Sequence, residues 1–321
     1  MTTARWGLAV AVLVALGCGA EARADALQLK QVAADAKWVG HIDCDAMRAS
    51  TVVQKAWDKV LELHKDARAH LDKAHEVLGI DLTEDIHCVT VYGKVVGKEN
   101  GVALLHAKLD RAKLEGLVAK AQDHKVAEAG AYKIHSWIHN DHGKSKPVSG
   151  AIRGDDLVVL AGCVDDVKAA LAVLDGKAPA MADDGPLRGR TWPGACLLFR
   201  VVGISEAKLP GEPPLAKQTE SYRFAIGEND GKVFYRSRAV MTNEEVVGQV
   251  KKILEGIHAL AMIHVKDDAK GKAMLDAFQL TTEGKNVTVS AEVPAADVWD
   301  QIVKHGKIII ERRKAHEAKG K

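Results

Sequence analysis

Two stretches of this chain constrain most of what it can fold into. Residues 86–109 and 222–241 each hold an alternating apolar run, a tight-turn signal and a returning apolar run; the turns are Glu99, Asn100 and Gly101 in the first and Glu228 to Gly231 in the second. Alternation with a period of two puts every second side chain on one face, so each stretch must pair with itself as an antiparallel hairpin with one face buried. A polar cap and an amphipathic helix follow each hairpin. In VALLHAKLDRAKLEGLV, Asp110 caps a helix with Leu114, Leu117 and Val118. In VFYRSRAVMTNEEVVGQV, Thr242 and Glu245 have capping-box spacing ahead of Val246, Val250, Ile253 and Leu254. Asp110 lies opposite Thr242 and Leu114 opposite Val246, which reads as a diverged internal duplication.

The remaining periodicity fits the same plan. Trp38 to Asp43 reads as a strand, and Ser50 caps one long helix whose stripe runs Val53, Trp57, Val60, His64, Ala67, Leu71, His75 and Leu78 before Gly79 ends it. Tyr132 to Ile138, Val148 to Ile152 and Leu157 to Ala161 form an antiparallel meander with Asp155 and Asp156 in a turn, followed by a helix from about Asp165 to Leu174. Residues 176–191, rich in Gly, Pro, Ala and Asp, connect the halves. Ala195 to Val202 and Val287 to Val293 are further strands, and Pro294 leads into a final helix with Val298, Trp299, Ile302 and Val303. The expected class is α+β in two related halves, residues 25–186 and 187–321. Each carries an antiparallel sheet covered by helices, with a ferredoxin-like β-α-β-β-α-β unit as the candidate plan and one continuous sheet as the alternative.

The N-terminus predicts export. Arg5 precedes an uncharged apolar run from Gly7 to Ala20, and Ala22, Arg23 and Ala24 supply the small-x-small pattern of a signal-peptidase site, so residues 1–24 read as a signal peptide. Val14 to Cys18 also resemble a bacterial lipobox, in which Cys18 becomes the lipidated first residue of a membrane-anchored lipoprotein. The mature protein is therefore expected in the periplasm or outside the cell, free or anchored through Cys18. No later segment has the apolar length of a membrane span; Ile257 to Val265 is interrupted by histidines and followed by Lys266, Asp267 and Asp268. Cys44, Cys88, Cys163 and Cys196 are irregularly spaced, so at most one disulfide is expected, and no CxxC or CxxCH occurs.

The stretches QVAADAKWVGHIDCDAMRAS, LGIDLTEDIHCVTVYG, KLDRAKLEGLV, DDLVVLAGCVDDVKAALAVLDG and NVTVSAEVPAADVWDQIV cover nearly the whole mature chain. They resemble a diffuse class of exported bacterial proteins of unknown function. The resemblance implies export and a duplicated α+β architecture, and it carries no catalytic residues.

Composition narrows the function. Lys plus Arg is 45 against 43 for Asp plus Glu, a balance of +2 that lacks the basic excess of a nucleic-acid binder. Aromatic residues are only 4%, too few for the faces on which sugars or bases stack. There is no GxSxG elbow, no HExxH and no Gly-rich phosphate loop, so no cofactor is expected and an enzyme is disfavoured. The 14 histidines raise the question of a metal. The densest group is His135, His139, Asp141 and His142 in YKIHSWIHNDHGK, where a turn can gather the last three. His135 and His139, four positions apart on a strand, are roughly 13 Å from one another. His64 and His75 read as partly buried helix residues, while His41, His87 and His106 fall in different strands. The basic tail ERRKAHEAKGK reads as a solvated helix end. A non-enzymatic binding or scaffolding protein of the cell envelope, with an envelope protein or polymer as partner, is the leading expectation. A metal-binding exported protein and an enzyme with a dispersed site are the alternatives.

Overall fold

The computed structural model describes residues 27–306 apart from 65, 98–100, 142, 143 and 212. Its first half runs β1 (Trp38–Asp43), α1 (Cys44–Ala49), α2 (Thr51–Leu63), α3 (Ala67–Leu78), β2 (Ile86–Gly93), β3 (Val102–Ala107), α4 (Arg111–Val118), β4 (Lys125–Ala129), β5 (Tyr132–Asp141), β6 (Lys144–Arg153), β7 (Leu157–Ala161) and α5 (Val164–Leu174). The second runs β8 (Ala195–Val202), α6 (Pro214–Lys217), β9 (Thr219–Asn229), β10 (Lys232–Met241), α7 (Glu244–His264), α8 (Ala269–Asp276), β11 (Gln279–Glu283) and β12 (Asn286–Pro294). A last helix, α9, covers 295–306.

The fold is α+β, but the two expected sheets are one. All twelve strands join in the order β11-β12-β10-β9-β8-β1-β2-β3-β7-β6-β5-β4. The seam is β1 against β8, antiparallel, with Trp38 opposite Val201 and Val39 opposite Arg200. The ferredoxin-like unit is also corrected. Such a split βαβ unit needs another strand between the two that the helix connects, whereas β1 and β2, joined through α1, α2 and α3, are direct neighbours.

Local departures have local causes. The long helix expected from Ser50 to Gly79 breaks at His64, whose φ of −119° and ψ of 82° are not helical, so the stripe spans two helices. Both expected ends hold: Ser50 Oγ accepts from the Val53 N–H at 3.3 Å, and Gly79 closes α3 in the left-handed region at φ 70°. Asn243, not Thr242, caps α7, accepting from the Val246 N–H at 3.0 Å.

Cross-strand partners share a face, which shows how the sheet is covered. Val39, Leu104, Ile134, Val159 and Leu198 are buried in one core with Val167, Ala170 and Leu171 of α5. The register Trp38–Val201–Tyr222–Ala239–Val287 runs along the opposite face. There Val246, Val247 and Val250 of α7 pack with Met241 and Val287. Thus α5 covers one face of the sheet in the first half and α7 the other face in the second.

One side chain ties the halves together beyond the seam. Glu228 of β9 accepts from Ser50 Oγ at 2.7 Å, from the Val52 N–H at 3.1 Å and from Thr51 Oγ1, all at the start of α2. Beside it, Gly227 lets β9 pass close to residues 194 and 195, since a Cβ there would stand 2.0 Å from the Gly194 carbonyl oxygen. Burial raises the Glu228 pKa, but the hydrogen bonds from Thr51, Ser50 and the backbone outweigh it and hold the carboxyl below its ordinary value. A depressed carboxyl stabilises the fold above its ordinary pKa and loses that contribution as pH falls from there through the lowered value. Glu228→Gln should therefore cost about 1 kcal/mol at neutral pH and less at an acidic pH below the carboxyl's lowered value, where wild-type Glu228 is also protonated. Urea midpoints of both proteins at the two pH values check this.

Candidate functional site

A cavity of about 720 Å³ lies where α7 stands off from the second-half sheet. Its floor is the α7-facing side of the strands: Val201 of β8, Tyr222 of β9, Ser237 and Ala239 of β10, and Val289 of β12. Val250 and Leu254 of α7 form the roof, with Phe278 at one side and Ile204, Pro213 and Leu215 at the other. The space exists because the floor carries small side chains, Ser237 and Ala239, where neighbouring positions carry rings. Leu215 and Phe278 are 48% and 44% exposed, so both rims meet solvent.

The few polar groups in this cavity already have partners. The Tyr222 and Tyr235 hydroxyls are 2.9 Å apart, and Thr219 Oγ1 donates to the Leu215 carbonyl at 2.8 Å. Burial, then the hydrogen bond with Tyr235, pushes the Tyr222 phenol well above its ordinary pKa, so it stays neutral. Among the described residues lining the space there is no Asp, Glu, His, Lys, Arg or Cys. It is suited to an uncharged, elongated apolar group, with the tyrosine pair and Ser237 as the one polar anchor.

A second cleft, about 420 Å³, lies between α2, α3 and residues 81–84, with Trp57, Arg68, Asp72, His75 and Asp81 among its walls. Although burial raises the pKa of Asp81, hydrogen bonds from Thr83 lower it overall. Those bonds run from the Thr83 N–H and Oγ1 to Asp81 Oδ1 at 2.7 and 2.5 Å, which is the self-contained chemistry of an Asx turn.

The histidines do not converge. His135 and His139 lie on one face of β5 with Trp137 between them, and His135 Nδ1 is 3.0 Å from His124 Nε2. Burial, then the His124 charge, lowers the His135 pKa. Asp141 ends β5, and His142 lies outside the described residues. No group of three or more ligating side chains is placed to hold a metal among the described residues. His64 and His75 are exposed, contrary to expectation: His64 ends α2, and His75 lies on the wall of the cleft between α2 and α3. His41 pairs with Thr90 Oγ1 at 2.9 Å, His87 with Asp45 at 3.2 Å and His106 with Gln31 at 3.1 Å, each within its own surroundings.

Among the described residues no disulfide joins Cys44, Cys88, Cys163 or Cys196. Cys88 is opposite Asp43 on β2, while Cys196 sits on β8, on the far side of β1. Two interstrand spacings, roughly 10 Å, exceed disulfide reach. Burial pushes the Cys44 thiol up to about 11 and the Cys196 thiol up to about 12, so both stay protonated. Cys163 is exposed at the start of α5, with Sγ 3.2 Å from Asp166. Cys18 and the basic tail lie outside the described residues.

No family model matches the chain, and no curated protein does. Among solved structures it is similar to crystal form III of TP0453, with a TM-score of 0.46, 8% identity, and 87% of this chain and 98% of that one covered. Form IV of TP0453 gives 0.46 at 10% identity and form I gives 0.43 at 7%, each covering 87% of this chain and 97% of that one. The likeness is loose. At these scores it says nothing of a site. Among the described residues, no helix is long and apolar enough to cross a membrane.

Proposed function

We propose that this is an exported, non-enzymatic binding protein of the cell envelope that holds an elongated apolar ligand, of the fatty-acyl class, between α7 and the second-half sheet. The observation that carries the reading is the cavity of about 720 Å³, whose size suits a small-molecule site and whose walls are apolar apart from hydroxyls already hydrogen-bonded. Export rests on the sequence pattern of residues 1–24, with the lipidated Cys18 as its anchored form.

Internal duplication belongs to the same proposal. The first half follows the order β1-β2-β3-β7-β6 and the second β8-β9-β10-β12-β11, so in each the last strand returns beside the third. That shared order, with a helix after the last strand of each half (α5 after β7, α9 after β12), supports a common origin, with β4 and β5 elaborated on the first copy only.

Titration with a naturally fluorescent polyene fatty acid tests the ligand. Saturable binding at one site per chain, displaced by unlabelled long-chain fatty acids, is expected; a linear, non-saturating signal overturns it. Intact mass of the protein from its native host tests export. A chain starting at Asp25, or at an acylated Cys18, is expected, and a chain retaining residues 1–24 overturns it.

A further inference from the structure

The other face of the second-half sheet is built quite differently. Arg200, Arg223 and Arg238 stand directly opposite one another on β8, β9 and β10, roughly 5 Å apart from strand to strand. Like charges in directly opposed positions destabilise a sheet unless something answers them. No carboxylate does so among the described residues. Arg200, only 5% exposed, donates to the carbonyls of Leu187, Gly189 and Arg190 at 3.0, 3.2 and 3.3 Å. Arg223 donates to the Arg188 carbonyl at 3.5 Å, and Arg238 to Asn286 Oδ1 at 2.9 Å. All these acceptors are neutral.

The surroundings add positive charge. Residues 187–190, which run over Arg200, bring the exposed Arg188 and Arg190, and Arg190 lies over the Trp192 ring at 4.5 Å. Arg236, one row along, is the only one of these arginines with an acidic partner, Glu292. In a chain with a balance of only +2, this segregation of cations is local. Burial first, then the charge of Arg223, brings the Arg200 pKa down to about 10, and the Arg223 pKa is lowered by burial and by Arg238 and Arg188.

We propose that this arginine ladder is a site for a phosphate group, bound by Arg223, Arg238 and Arg188 over the buried charge of Arg200. A terminal phosphate has three free acceptor oxygens and close to two negative charges, and a headgroup phosphodiester two free oxygens and one charge; their tetrahedral oxygens can span guanidinium forks set side by side, which a planar carboxylate does less well. Arg223 and Arg238 each show one donated bond, so most of their N–H groups remain for a ligand. The site lies across the sheet from the apolar cavity and does not depend on it.

The test uses the full chain, with calorimetric titration of sodium pyrophosphate at fixed ionic strength and co-sedimentation with vesicles containing phosphatidylglycerol or only phosphatidylcholine. Pyrophosphate binding would mark a soluble phosphate ligand; binding to phosphatidylglycerol vesicles alone would mark a phosphate held in a headgroup. In either case Arg223→Gln with Arg238→Gln should weaken binding by at least about tenfold. Arg223→Gln alone should leave the urea midpoint unchanged or raised, since it relieves repulsion. Binding of neither phosphate source, binding indifferent to the double substitution, or a midpoint that falls in Arg223→Gln without loss of binding would overturn the proposal.

Discussion

Ala239→Trp is expected to abolish fatty-acyl binding while leaving the protein at least as stable as before. Ala239 is on the cavity floor, opposite Tyr222 on one side and Val287 on the other. An indole there occupies the space between β10 and α7 that the acyl chain would take. Filling an apolar cavity adds packing contacts, so the usual sign of a core substitution is reversed. Polyene fatty acid affinity should fall by about a hundredfold or more, some 2.7 kcal/mol, with no decrease in the urea midpoint. If binding persists unchanged, the ligand sits elsewhere. If binding and stability fall together, the substitution has disrupted the fold, and Ser237→Leu, a smaller filling of the same floor, should then remove binding alone.

Leu104→Ala should produce the largest loss of stability, about 3 kcal/mol. Leu104 is fully buried at the centre of β3, in the core that α5 closes. Truncation removes its transfer energy and leaves a void that flanking strands cannot collapse into, because each is held by hydrogen bonds on both edges. The sheet is continuous through β1 and β8, so a single denaturation transition should shift for both halves together. Ile257→Ala is the contrast: Ile257 is 57% exposed on α7, and its loss should change stability by less than about 0.5 kcal/mol. Separate transitions for the two halves, or equal effects of the two substitutions, would contradict this picture.

The elements were legible wherever one face is buried and the other wet. β9 and β10 alternate and meet through Asp230 and Gly231, so both strands and their pairing follow from period and turn chemistry. The seam was not legible. WVGHID of β1 and ACLLFRVV of β8 carry His41, Asp43 and Arg200 on the face they bury, so their patterns mark strands without naming the neighbours. For the same reason the opposite placements of α5 and α7 left no trace in the pattern. β4 and β11, short and mostly exposed, lack any apolar period to find them by. Ile253 was read as part of the buried stripe of α7, yet it is 55% exposed, because only the first turns of that long helix lie against the sheet.

The candidate sites divide in the same way. Histidines invite a search by residue type, and the search finds isolated pairs. The cavity is a distance between a helix and a sheet, and in sequence it shows only as small residues, Ser237 and Ala239, in a strand otherwise rich in large ones. The arginine ladder could have been found. Arg200, Arg223 and Arg238 are all visible in alternating strands, but aligning them requires the register of two hairpin arms and a separate strand.

Joining the halves into one sheet also decides how the molecule behaves at high concentration. Two separate sheets would expose four strand edges, each able to template pairing with another chain, whereas one sheet leaves two. Both survivors, KVAEA of β4 and QLTTE of β11, are five residues long and carry charge. Short, charged margins are poor templates for edge-to-edge growth. The long, apolar strands that would polymerise most readily lie in the interior of the ribbon, where both of their edges are already taken.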